Sequence, residues 1–186
     1  MVSLTSLWLP MLLSAVAVFF VSFVTHMLLK YHYTDFARLP GEDDVVSVFA
    51  RHNVAPGDYM FPHAATPAEA NDAAFMEKRN RNPTGIVTVL PTPAIRLTKH
   101  LMEWFIFSLV VSLFCAYLAG RALPVAAAGA EVFRFTATVA FLGYGLALVH
   151  DSIWYGRKWS TTLKSMFDAL LYGAATAAIF VWLWPR

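Results

Sequence analysis

Apolar residues gather in four long runs along the chain, at about Leu7–Leu29, Leu101–Leu118, Val132–Val149 and Leu163–Trp184. A helix needs roughly 20 apolar residues to cross a bilayer core, and each run is near that length. Hydrocarbon offers the backbone no water, so each run must satisfy its own amides, which a helix does locally. The pattern therefore predicts four transmembrane helices. Pro10 falls in the first turn of the first one, where a missing N–H costs little. That first run is longer than a signal-peptide core and has no Lys or Arg ahead of it, so it reads as a retained span.

Trp and Tyr cluster at the ends of the runs. Trp8, Trp182 and Trp184 fall at one boundary; Tyr31, Tyr33, Trp104, Trp154, Tyr155 and Trp159 fall at the other. Amphipathic rings collect at headgroup depth in this way.

Between the first two runs the pattern changes. From about Tyr31 to His100 the chain is polar and holds seven of the ten prolines. A loop of this length rarely lacks structure of its own. Gly41 followed by three acidic residues opens a helix to about His52. Thr66-Pro67-Ala68-Glu69 matches a capping box and starts a helix to about Arg79. Asp58–Phe61 and Gly85–Leu90 read as strands, the first following a Pro56-Gly57 turn that Asp58 serves with its carboxylate. The expected fold is an all-α membrane protein of four transmembrane helices with a small α+β insert between helices 1 and 2. Its divisions are residues 1–30, the first helix; 31–100, the insert; and 101–186, helices 2 to 4. An insert of that size buries little core alone, so it is expected to lean on the helices or on a partner.

Composition agrees with the pattern. Hydrophobic residues make up 58% and charged ones 14%, against roughly 25% charged in an ordinary soluble domain. The net charge of +2 is too small, and too mixed with acids, for a nucleic-acid partner. Cys115 stands alone, so it forms no intrachain disulfide and belongs to no zinc pattern.

Lys30, Arg38, Arg96, Lys99, Arg157, Lys158 and Lys164 crowd one side of the spans, against Arg121, Arg186 and Arg134 on the other. The positive-inside rule then makes the insert cytoplasmic and both termini periplasmic, in a multi-pass bacterial inner membrane protein.

Ionisable groups near the span ends are the candidate chemistry. Helical spacing offers each a local partner: Lys99 with Glu103, Lys164 with Asp168, Glu131 with Arg134. Ion pairing at the interface accounts for most of them. A sharper reading takes His26, His100, Glu103, His150, Asp151 and Asp168 as one polar ring where the cytoplasmic helix ends converge. Inward Glu and His on facing helices build metal sites in bundles, and two imidazoles can ligate a haem. No spaced ligand motif is present, so no cofactor is predicted outright, and a metal or haem stays the alternative. His52 and His63 read as exposed loop residues. Gly143, Gly145, Ala147, Gly173, Ala174, Ala177 and Ala178 give small-residue spacings that let spans 3 and 4 pair closely, with Ser160 as the N-cap of span 4. There is no nucleophile elbow, phosphate-binding loop or dinucleotide fingerprint.

The stretches PGDYMFP, AFLGYGLALVHDSIWYGRKWSTTLKSMFDALLYG and WLWPR, spread along nearly the whole chain, resemble a family of small, uncharacterised four-span bacterial membrane proteins. The resemblance implies a four-span protein and supplies no activity, cofactor or catalytic residue. With no catalytic signature, the sequence points to an accessory or scaffold subunit of a larger membrane complex. Its partners are then the lipid bilayer and either a membrane protein or further copies of the chain. A metal- or haem-dependent redox enzyme built on the polar ring is the alternative.

Overall fold

A computed structural model describes residues 1–91 and 96–186; the part of the insert at 92–95 lies outside the described residues. The chain is an all-α membrane protein with a small α+β insert. Four helical segments have the length and composition to cross a membrane: Leu4–Leu28, Leu97–Ala122, Gly129–Trp154 and Trp159–Leu183. The chain divides into two compact units, one of Met1–Ala37 with Leu97–Arg186, the other of Arg38–Arg96.

In the helical unit, span 1 comprises a 3-10 turn at Leu4–Leu7, α1 (Trp8–Phe23) and a π-helical turn at Val24–Leu28. Ser3 caps its start by accepting from the Ser6 amide. In the π turn the Leu29 amide donates to the Val24 carbonyl at 2.9 Å, five residues back. Such turns are rare and often mark functional sites. Leu29 is extended, and a second 3-10 turn follows at Lys30–Thr34.

Span 2 is α5 (Leu97–Ala122). Span 3 is α6 (Gly129–Tyr144), a 3-10 turn at Leu146–Leu148 and a short α7 (Val149–Trp154). Span 4 is α8 (Trp159–Leu183). Gly156, at φ +68°, turns the chain between α7 and α8 in a conformation that favours glycine. The N-cap of α8 is Lys158, two residues before Ser160, which lies inside the helix. The Ser152 and Thr162 hydroxyls bond at 2.7 Å and tie α7 to α8.

The packing is that of helices in lipid. Ala15, Ala116, Ala119, Ala140, Ala169 and Ala177 are fully buried, whereas Phe20, Phe114, Phe167 and Leu170 face outward. Water would reverse this arrangement; hydrocarbon does not, and small residues inside let backbones approach. Spans 3 and 4 pair as their small residues predict. A Cβ on Gly145 would lie 2.6 Å from the Ala169 Cβ, and one on Gly173 would lie 3.0 Å from the Ala137 carbonyl. Trp104, expected at an aromatic belt, instead packs inward against Tyr144 and Tyr172, at ring separations of 5.9 and 5.7 Å.

The Arg38–Arg96 unit carries α2 (Glu42–Arg51), β1 (Gly57–Phe61), α3 (Pro67–Ala70), α4 (Ala73–Arg81) and β2 (Gly85–Val89). The strands pair antiparallel, with Tyr59 opposite Val87 and Phe61 opposite Gly85. Gly85 leaves room for the Phe61 ring, which a Cβ there would meet at 2.8 Å. The helix expected from Thr66 to Arg79 is broken in two. Thr66 caps α3, but Asp72 then caps a fresh start by accepting from the Ala74 and Phe75 amides. Asp58 does not serve the turn; it accepts from the Thr88 hydroxyl across the strand pair at 2.7 Å. Among the described residues of this unit none is fully buried.

Candidate functional site

The residues of interest lie where span 1 ends and span 4 begins. Asp168 stands nine residues beyond the start of α8, ~14 Å along the axis at 1.5 Å per residue. It is 2% exposed. A buried carboxylate in a membrane span is costly unless it is bonded on all sides. The π turn and the 3-10 turn that follows supply those bonds, because together they fold the chain back onto α8.

Tyr31 donates its hydroxyl to Asp168 Oδ1. His32 Nε2 lies 2.8 Å from Asp168 Oδ2, and His26 Nε2 lies 3.5 Å from the same oxygen. The two imidazoles stack, with ring centres 4.2 Å apart and planes inclined by 19°. The other nitrogen of His32, Nδ1, lies 2.7 Å from Asp35 Oδ2. Lys164 completes the assembly from α8: its Nζ donates to Asp35 Oδ1 at 2.8 Å, to Thr34 Oγ1 at 2.8 Å and to the Tyr31 carbonyl at 2.5 Å. Beneath, the buried Thr25 hydroxyl meets the Tyr172 hydroxyl at 3.2 Å. The segment Tyr31–Ala37, read from sequence as insert, thus belongs with the helices.

The electrostatics follow from these contacts. Burial pushes the Asp35 carboxyl up, but the hydrogen bonds from Lys164 and His32 outweigh it and hold the group below the usual carboxylate range. Burial, and then the bond to Asp168, push the Tyr31 phenol well above its ordinary value. His32 stands between two carboxylates.

Of the six residues expected to form one polar ring, only His26 and Asp168 meet. His100 and Glu103 pair with each other at 3.3 Å on an exposed face of α5, and Lys99 also reaches Glu103, at 3.6 Å. His150 packs its ring on Tyr155, and Asp151 lies 3.9 Å from Arg157. Two expected local pairs are absent among the described residues. Lys164 turns from Asp168 to Asp35, and Arg134 donates to the Ala130 carbonyl at 3.2 Å rather than reaching Glu131. His32, Asp35 and Tyr31 are the residues that helical spacing missed, because the π turn and the extended Leu29 break the register on which spacing arguments rest. The sequence signal was their composition: six titratable side chains, Lys30, Tyr31, His32, Tyr33, Asp35 and Arg38, directly after an apolar run.

Beside the cluster, Tyr31, Leu163, Lys164 and Phe167 line a shallow, open depression of about 390 Å³. Comparison with protein-family models, with curated proteins and with solved structures gave no match.

Proposed function

We propose that this membrane protein works through contacts, as an accessory or scaffold subunit of a larger complex in a bacterial inner membrane. The observation that carries the reading is the surface of the Arg38–Arg96 unit. Among its described residues it seals no side chain of its own, yet it leaves Val46 at 59%, Met60 at 52% and Ile86 at 42% exposed. Met60 and Ile86 stand directly opposite each other on one face of the strand pair. A wet unit with an unclosed apolar face is suited to a partner that closes it. The positive-inside distribution of Lys and Arg favours a cytoplasmic position for this unit. Affinity capture of the full chain from mild detergent tests the reading. One protein partner should co-purify in fixed proportion and be lost from Met60→Asp. A partner-free homo-oligomer would contradict it.

A second reading, a membrane-bound metal- or haem-dependent redox enzyme, draws its support from the His26–His32–Asp168 cluster. Soret absorbance and elemental analysis of the purified protein decide it: a chromophore or a redox-active metal is the expected result, and neither being present removes it.

A further inference from the structure

Three nitrogen and oxygen donors converge at one point in the helical unit. His26, His32 and Asp168 each offer an atom within 4.8 Å of the other two. They come from two parts of the fold more than a hundred residues apart in sequence, so their meeting is a product of tertiary structure rather than of local spacing. We propose that His26, His32 and Asp168 bind one divalent transition-metal ion of the zinc or ferrous class, with Asp35 as the outer hydrogen-bond partner of His32.

The distances suit such an ion. Donors about 2.0–2.1 Å from a tetrahedral centre lie roughly 3.3 Å from one another. The two imidazole nitrogens stand 2.8 and 3.5 Å from the shared Asp168 oxygen, on either side of that value. The surroundings suit it as well. A ligating histidine almost always gives its second ring N–H to a carboxylate, which fixes the tautomer and strengthens the donor. His32 has this arrangement, with Nδ1 at 2.7 Å from Asp35 and Asp35 held in turn by Lys164. In the tautomer that donates Nδ1–H to Asp35, the Nε2 lone pair faces Asp168 Oδ2. Nε2 and Asp168 Oδ2 then face each other as two acceptors at 2.8 Å, a gap that a proton or a shared metal ion bridges. Tyr31 occupies Asp168 Oδ1, which leaves Oδ2 for the ion.

The class of ion follows from the donors. Two imidazoles and a carboxylate suit zinc, ferrous iron or cobalt, whereas magnesium and calcium call for oxygen alone. Three protein donors leave a position open for water or another ligand. His26 provides the way in: its side chain is 47% exposed, and on binding its ring has to pivot off the His32 stack so that the Nε2 lone pair, which lies in the ring plane, points at the ion.

The inference rests on the same cluster as the second functional reading but requires no turnover. The test uses the full chain in detergent, purified on a tag without histidine, stripped with chelator and titrated with zinc and then with cobalt. The expected result is one ion per chain and a cobalt absorption band in the visible. His26→Ala removes a half-exposed side chain, so the fold should survive while zinc affinity falls at least about tenfold. Asp35→Asn, which leaves all three donors in place, should weaken binding about 10–100-fold. His100→Ala, outside the cluster, should bind as the parent does. The proposal is overturned if the parent protein holds less than one ion. It is equally overturned if His26→Ala and His32→Ala bind as well as the parent, or if His100→Ala abolishes binding. An ion bound without redox turnover supports the site and removes the enzyme reading.

Discussion

Asp168 is a carboxylate sealed inside a membrane helix, and its neighbours are the groups that make this tolerable. Tyr31 and His32 bond its two oxygens, while Lys164, one turn earlier on α8, anchors the same strap through Asp35, Thr34 and the Tyr31 carbonyl. Hydrogen bonds to a charged group are worth about 1.5–3 kcal/mol each when buried, and Lys164 is partly open to its surroundings. Lys164→Met should therefore loosen the strap by about 2–3 kcal/mol. Hydrogen exchange over Lys30–Asp35 would rise accordingly, with the rest of α8 unchanged. The same segment should respond to acid. The Asp35 carboxyl is held below its ordinary value, so its contribution is present above about pH 4 and lost as pH falls through the lowered value. The Tyr31 phenol is raised, so its contribution is complete below about pH 10 and lost only as pH rises through the raised value. Exchange over Lys30–Asp35, corrected for intrinsic rates, should increase as pH falls below about 4. Unchanged protection at pH 3 would contradict this assignment.

At the scale of elements, close approach between spans 3 and 4 depends on two glycines. A side chain at Gly173 would press on the Ala137 carbonyl, a backbone atom that cannot rotate away. Gly173→Leu should cost at least about 1–3 kcal/mol as overpacking and lower the melting temperature in detergent. Gly57→Ala, where the nearest atoms lie at ordinary contact distance, is the matched control. The spans, the strand pair and this helix pairing were legible in the sequence because each depends on a regular period: apolar length, alternation, or small residues one turn apart. The cluster was legible only in part. Asp168 and His26 stood out as ionisable groups at span ends, but periodic spacing assigned Asp168 to Lys164. The π turn at Val24–Leu28 and extended Leu29 carry Tyr31 and His32 to that carboxylate instead, and neither irregularity has a periodic signature. The break between α3 and α4 has a similar cause. Asp72 competes for the helix amides as a new cap, and the continuous apolar-polar pattern conceals it.

For the whole molecule, the decisive fact is the inverted packing of the helical unit. Small and hydroxyl side chains such as Ala116, Ala140, Ser108 and Thr136 lie inside, while Phe20, Phe114, Phe167 and Leu170 face outward. Thr136 donates to the Val132 carbonyl at 2.7 Å and Ser112 to the Met11 carbonyl of span 1 at 3.0 Å, so these two buried hydroxyls are satisfied without water. A single span separates the N-terminus from the Arg38–Arg96 unit, and three separate that unit from the C-terminus. If all four segments cross, the odd number of crossings on each side of the unit predicts a face opposite both ends, whichever way the protein is inserted. Labelling with an impermeant maleimide tests this directly. With Cys115 replaced by Ser, Asp58→Cys and Arg186→Cys are compared in intact cells and in inverted vesicles. Reaction of the two positions from opposite faces is the predicted result, with Asp58→Cys reacting only in inverted vesicles if the unit is cytoplasmic. Reaction of both from the same face would contradict the four-span account.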